Sequence, residues 1–289
     1  EGDRVKVSVT SEIGRLRAVI MQPPGKGIER CTPLNVGALA WDSVPSASKA
    51  AEEHKKWVAA VEGFGAGVFL FEDLLRDVLA LPSVKNELVA AVLETEKAFL
   101  TERTLDILRE HLLGLSPSAL VEQLFFGMTK DELHRSSGEI ALRDLVDRTS
   151  EWCLFPMTNV LYSRDPAAVL GEGVVFGKMF NRDRVKEPAC IRAIFRHHPE
   201  FRDSEFSSWY GEEPEDTTPV EGGNVHCYSR NVFVIGVNER THPDSIEKIA
   251  RRTMRCGEIT DVLALLFENQ RLGPADSIGL TVHVDMFLN

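Results

Sequence analysis

Residues 82–148 of this 289-residue chain carry almost nothing but helical pattern, whereas short apolar runs of strand length stud both flanks. Such a chain has to bury a sheet and a set of helices together, and strands alternating with helices point to an α/β core. In the middle stretch Leu105, Leu108 and Leu112 fall at i, i+3 and i+7, one helix face, with Gly114 as its stop. Ser116-Pro117 offers a cap followed by proline at the first helical position, and Thr129-Lys130-Asp131-Glu132 has capping-box spacing. Before this stretch, Val5–Val9 alternates apolar and polar, and Ala18–Met21 and Gly67–Phe71 are short apolar runs. Residues Ser46–Val61 read as an amphipathic helix carrying Trp57 and Val61 four apart. After it come strand-like Val174–Met179, Val225–Tyr228, Val232–Val237 and Thr281–Phe287, and an exposed acidic loop over Gly211–Pro219. A helix over about Pro243–Arg255 follows a turn at Asn238–Thr241. The expected division is 1–81 for the first part of an α/β domain, 82–148 for an inserted helical subdomain, and 149–289 for the remainder.

Bulk properties narrow the function classes. A formal net charge of -11 argues against nucleic-acid binding, because phosphate recognition wants a basic surface. No apolar run approaches the roughly 20 residues of a membrane span, so no membrane association is expected. The N-terminus lacks the apolar stretch of a secretory signal and begins without Met, so a trimmed start is expected. The five cysteines, Cys31, Cys153, Cys190, Cys227 and Cys256, are scattered without CxxC spacing. Reduced thiols in a cytoplasmic protein are therefore expected, not a disulfide framework or a zinc ribbon.

Three constellations could carry chemistry. Phe155–Pro166, FPMTNVLYSRDP, packs Asn159, Tyr162, Arg164 and Asp165 together; from spacing alone it also fits a strand running into an ordinary Asp-Pro turn. Glu221-Gly222-Gly223-Asn224 sets a carboxylate and an amide either side of paired glycines, which permit positive φ or close approach to a ligand. It equally fits a hairpin connection. In Thr281–Phe287, read as a strand, a period of two puts His283 and Asp285 on one face. His-x-Asp could hold a divalent cation, but no further His or carboxylate cluster completes such a site. His197-His198 is expected in an exposed helix end or loop. Arg184 and Arg240 each follow a strand-like run, where α/β scaffolds present ligand-binding groups.

Taken together, SEIGRLRAVIMQPPGKGIERCTPLN, FPMTNVLYSRDP, EGGN, the NERT turn and HVD resemble the arginine deiminase family, in order and at compatible separations. The resemblance implies a pentein-like α/β propeller of ββαβ modules, the last module incomplete, with an inserted helical bundle. It implies hydrolysis of L-arginine to L-citrulline and ammonia through a cysteine thiouronium intermediate, without metal or cofactor. Asp165 and Asp285 would grip the guanidinium, and Glu221 and His283 would flank the reacting carbon, His283 as general acid and base. Asn159, Tyr162, Arg184, Asn224 and Arg240 would contact the rest of the substrate. A homo-oligomer, dimer or higher, is also implied.

Departures sharpen the expectation. Family members continue past the His-x-Asp strand to a glycine-rich loop with the nucleophilic Cys. This chain is expected to lack that segment and, alone, to be inactive; Cys227 is expected to face the core. Asn224 stands where the family pattern has Asp, and Tyr162 where it usually has Phe. An inactive arginine-binding homologue, or a hydrolase of a modified guanidine, is the alternative.

Overall fold

The computed structural model describes residues 5–147, 149–266 and 283–286. The chain is mixed α/β and forms two compact units, one of Arg17–Leu161 with Ala189–His198, the other of Glu1–Leu16, Tyr162–Pro188 and Pro199–Asn289. Among the described residues no helix is long and apolar enough to cross a membrane.

The first unit is mainly helical. Strand β1 (Ala18–Met21) is followed by α1 (Lys26–Glu29) and α2 (Ala47–Gly63), then by β2 (Gly67–Leu70), which pairs with β1 in parallel. Next come α3 (Phe71–Leu79), α4 (Pro82–Glu96), α5 (Glu102–Gly114) and α6 (Pro117–Phe126). A short strand β3 (Met128–Thr129) precedes α7 (Lys130–Ser137) and α8 (Leu142–Val146), and β4 (Trp152–Leu154) pairs with β3 in antiparallel fashion. The helix starts lie where local chemistry puts them. Ser116 Oγ accepts from Ala119 N–H at 3.3 Å, and Thr129 and Glu132 complete a reciprocal capping box. Leu105, Leu108 and Leu112 are buried, as their spacing requires.

Two readings of this unit need correction. The run Gly67–Phe71 divides at Leu70, and Phe71 begins α3, whose buried Phe71, Leu74, Leu75, Val78 and Leu79 give it the stronger apolar face. Helix α2 has no buried residue, and Trp57 is 59% exposed, so the expected apolar stripe faces solvent.

The second unit holds two three-stranded sheets of like construction. Strands β5 (Ala167–Leu170) and β6 (Gly173–Phe176) are antiparallel, and β7 (Ser207–Tyr210) joins β6 in parallel; helix α9 (Glu187–His197), between β6 and β7 in sequence, belongs to the first unit from Ala189 on. Strands β8 (Val225–Ser229) and β9 (Val232–Val237) form a second antiparallel pair, α10 (Pro243–Met254) follows, and β10 (Asp261–Leu266) joins β9 in parallel. Leu170, Val175, Tyr210, Val225, Phe233 and Ile235 form the core with Ile246 and Ile249 of α10. The loop Gly211–Pro219 is exposed only in part: buried Asp216 accepts the Gly211 N–H and binds Arg252, folding the loop around a carboxylate.

The expected strand Thr281–Phe287 is not found where it can be seen. Val284–Met286 form a 3-10 turn, so a period of two does not relate His283 to Asp285; residues 281, 282 and 287 lie outside the described set.

Candidate active site

The charged residues of the second unit gather at strand ends. Asp165 closes a turn on Tyr162 immediately before β5, and its carbonyl accepts the Gly222 N–H at 2.9 Å. Glu221 precedes the 3-10 turn Gly222–Asn224 that leads into β8. Arg240 sits in the turn after β9, where Asn238 and Thr241 exchange backbone hydrogen bonds at 3.2 Å. Loops of this kind present reactive groups from a rigid scaffold.

His283 is the meeting point. Its Nε2 lies 2.8 Å from Glu221 Oε2 and its Nδ1 lies 3.4 Å from Asp165 Oδ1. Burial works against the charged ring, but the bond to Glu221 and the charges of Asp165, Glu221 and Asp285 raise its pKa above the ordinary value. Glu221, fully buried, also accepts the Phe180 N–H at 3.0 Å and lies 3.5 Å from Arg240 Nη1. Burial favours its neutral form, yet His283, Arg240 and the Phe180 amide hold its pKa below the ordinary range. Asp285 is shifted upward, first by burial, with Asp165 adding repulsion and His283 opposing it.

Arg184 is buried and pinned. Its Nη1 donates to Asp165 Oδ2 at 2.6 Å, its Nη2 to Glu187 Oε2 at 2.8 Å and to the Tyr162 carbonyl at 3.2 Å. Burial opposes the charge, but Glu187 and Asp165 overcome it and keep the guanidinium protonated. Burial pushes Glu187 up to about 7, against the pull of Arg184. Arg240 is held more loosely, 3.4 Å from Glu239 and 5.6 Å above the Phe180 ring.

The paired glycines work by close approach, not by positive φ; neither is in the left-handed region. A Cβ on Gly222 would lie 2.0 Å from the Arg164 carbonyl, and one on Gly223 would lie 2.5 Å from His283 Cγ. Asn224 is fully buried; its Nδ2 donates to Asn238 Oδ1 and Thr241 Oγ1, and its Oδ1 accepts the Val284 N–H, each at 3.0 Å.

Of the nine site residues expected from sequence, Asp165, Arg184, Asn224, Glu221, Arg240, His283 and Asp285 lie in this unit. Tyr162 lies there too, with a half-exposed side chain. Asn159 belongs to the helical unit, where its amide donates to the Leu39 carbonyl at 2.8 Å. Among the described residues no three His, Cys, Asp or Glu side chains are grouped to hold a metal ion. His198 departs from its expected exposure: it is buried, 3.5 Å from Asp77 Oδ2. Cys227 does face the core, its thiol donating to the Ser229 carbonyl and pushed up to about 11 by burial.

Sequence reading missed several partners. Glu187, three residues after Arg184, had a signal in its helical spacing. Glu12 had none. It lies 152 positions from Arg164 yet binds that guanidinium with both oxygens, at 2.8 and 3.1 Å. Arg164 in turn donates to the Gly222 and Val225 carbonyls, fixing the loop behind Glu221. Buried His226 donates Nε2–H to the Gly223 carbonyl at 3.0 Å, and burial with the Arg164 charge lowers its pKa.

The sequence pattern of arginine deiminase matches residues 37–273. An arginine deiminase of Borrelia recurrentis is 34% identical over 247 residues, 85% of this chain and 59% of that protein. Arginine deiminase 1 of Staphylococcus epidermidis is 30% identical over 250 residues, 86% of this chain and 59% of that protein. The chain thus spans about 59% of the length of these relatives. A crystal structure of a dimethylarginine dimethylaminohydrolase adduct with S-methyl-L-thiocitrulline superposes with a TM-score of 0.45 at 12% identity, over 88% of this chain and 62% of that one. The match of the family pattern over most of the sequence establishes that the chain belongs to the arginine deiminase family.

Proposed function

We propose that this chain carries the guanidinium-recognising and acid–base half of a site that hydrolyses L-arginine to L-citrulline and ammonia. The observation that carries the reading is the buried contact of His283 Nε2 with Glu221 Oε2 at 2.8 Å, with Asp165 on the other ring nitrogen. Three carboxylates, Asp165, Glu221 and Asp285, surround one imidazole, and the two arginines beside them are shared with Glu187 and Glu239. A site so rich in carboxylate favours a further cation, and a planar guanidinium can donate charge-assisted hydrogen bonds from both edges.

In this reading Asp165 and Asp285 hold the guanidinium nitrogens, and Arg184 orients Asp165. A raised pKa suits His283 to protonate departing ammonia and then, as the neutral ring, to take a proton from the attacking water. Arg240, whose carboxylate contacts are no closer than 3.4 Å, is better placed than Arg184 to meet the substrate's α-carboxylate, and Tyr162 is the other proposed contact. The reaction needs a thiolate to form the thiouronium intermediate. Cys31, Cys153 and Cys227 are buried with thiols shifted upward by desolvation, the wrong setting for a nucleophile. The two like-built sheets are proposed as modules of a pentein-like propeller, with 82–148 as its helical insertion.

Calorimetric titration with L-arginine, alongside a citrulline assay, tests the proposal. Binding that disappears in Asp165→Ala while the far-UV spectrum is kept is the expected result. Arginine binding of equal strength in that variant would overturn the assignment, and citrulline formed by this chain would show that one of its own cysteines supplies the thiolate.

A further inference from the structure

We infer that Asn224 and Thr241 are positioning residues: their buried side chains lock the His283 turn against Glu221, and Asn224 is a strut of the site, not a substrate contact. The orientation of every group in this network is fixed by a backbone N–H. Asn238 Oδ1 accepts the Arg240 N–H at 2.9 Å, so its oxygen must face inward. Asn224 Oδ1 accepts the Val284 N–H at 3.0 Å, so its nitrogen must face Asn238 Oδ1 and Thr241 Oγ1. Thr241 Oγ1 also accepts the Glu221 N–H at 3.3 Å. One amide and one hydroxyl therefore join the backbones beside Glu221, Arg240 and His283.

The geometry also excludes a substrate role for this amide. Both its N–H groups are used, and Asn224 and Thr241 are fully buried. Strand β9 closes the space behind it, since a Cβ on Gly236 would lie 2.7 Å from Asn224 Oδ1 and 2.4 Å from Val284 Cγ2. An aspartate here would present an oxygen to Asn238 Oδ1, which the Arg240 N–H prevents from turning away. The amide in this chain thus matches its own neighbours.

Naming what the pair is positioned for rests on the proposed arginine hydrolysis; the test does not. The imidazole of His283 is titrated by NMR in the whole chain, its signals identified by their loss in His283→Gln. In Asn224→Ala and Thr241→Val, the His283 pKa is expected to shift down as the Glu221 contact loosens. Thr241→Ser, which keeps the hydroxyl, is expected to retain the value. Thr253→Ala, which removes a buried hydroxyl bonded, among the described residues, within α10, is the control for general destabilisation. Unchanged His283 titration in both Asn224→Ala and Thr241→Val would overturn the inference, as would an equal shift in Thr241→Ser or Thr253→Ala. Because the readout is a titration, it stands whether or not arginine is turned over.

Discussion

At the scale of single residues the site is built from absences as much as from charges. Gly223 has no side chain because the His283 ring occupies that volume. Gly223→Ala is expected to force the ring off Glu221 and to destabilise by about 1–3 kcal/mol, the usual cost of overpacking. Gly37→Ala, where a Cβ meets nothing within 4 Å, serves as the comparison and should be near neutral in urea unfolding. The His283–Glu221 pair also sets a pH dependence. His283 is raised in the folded chain from an ordinary 6.5, so its contribution is full below 6.5 and is lost as pH rises through the folded value. Glu221 is lowered from 4.5, so its contribution is present above 4.5 and is lost as pH falls through the folded value. Urea midpoints should therefore decline on the alkaline side of 6.5, and His283→Gln should flatten that decline. A decline of the same size in the variant would place its origin in another group.

At the scale of elements, the caps show how far sequence reading reaches. The Thr129–Glu132 box forms with Thr129 N–H donating to Glu132 at 2.7 Å, and Arg30 holds the same carboxylate with two bonds. Thr129→Ala should lower stability by about 1 kcal/mol in urea unfolding; an unchanged midpoint would mean that Arg30 alone holds the start of α7. Caps, proline at the first helical position and leucine spacing are local, so α5 to α7 are legible in the sequence. What was not legible depends on distant partners. Strand β10 exists through its parallel pairing with β9, and the short β3 through its pairing with β4. His283 and Asp285 drew attention through a strand period, yet a 3-10 turn carries them, tied by Asn224 sixty residues away. The turn, not an alternation along a strand, sets His283 beside Glu221 and Asp165. Arg164 was noticed as a cation in its motif, but its partner Glu12 could be supplied only by the fold.

At the scale of the whole molecule, the cysteines report on both units at once. Cys31, Cys153 and Cys190 are buried in the helical unit and Cys227 in the other, while Cys256 is exposed just beyond α10. A thiol reagent reacts with the thiolate, so burial protects twice, by blocking access and by raising the pKa. Of the five thiols, one should react rapidly with Ellman's reagent in the native chain, and all five after denaturation. Cys256→Ser should abolish the rapid phase. The slow phases then measure opening of each unit, and Cys227→Ser should remove the phase that belongs to the sheet-bearing unit alone. A second rapid thiol would show that one core opens readily. The same variant bears on the proposed chemistry, because Cys256 is the one cysteine that solvent reaches. If arginine turnover disappears in Cys256→Ser with the fold kept, the nucleophile is Cys256. If turnover survives, the thiolate that attacks the guanidinium is not this exposed one, and the part of His283, Glu221 and Asp165 stands apart from it.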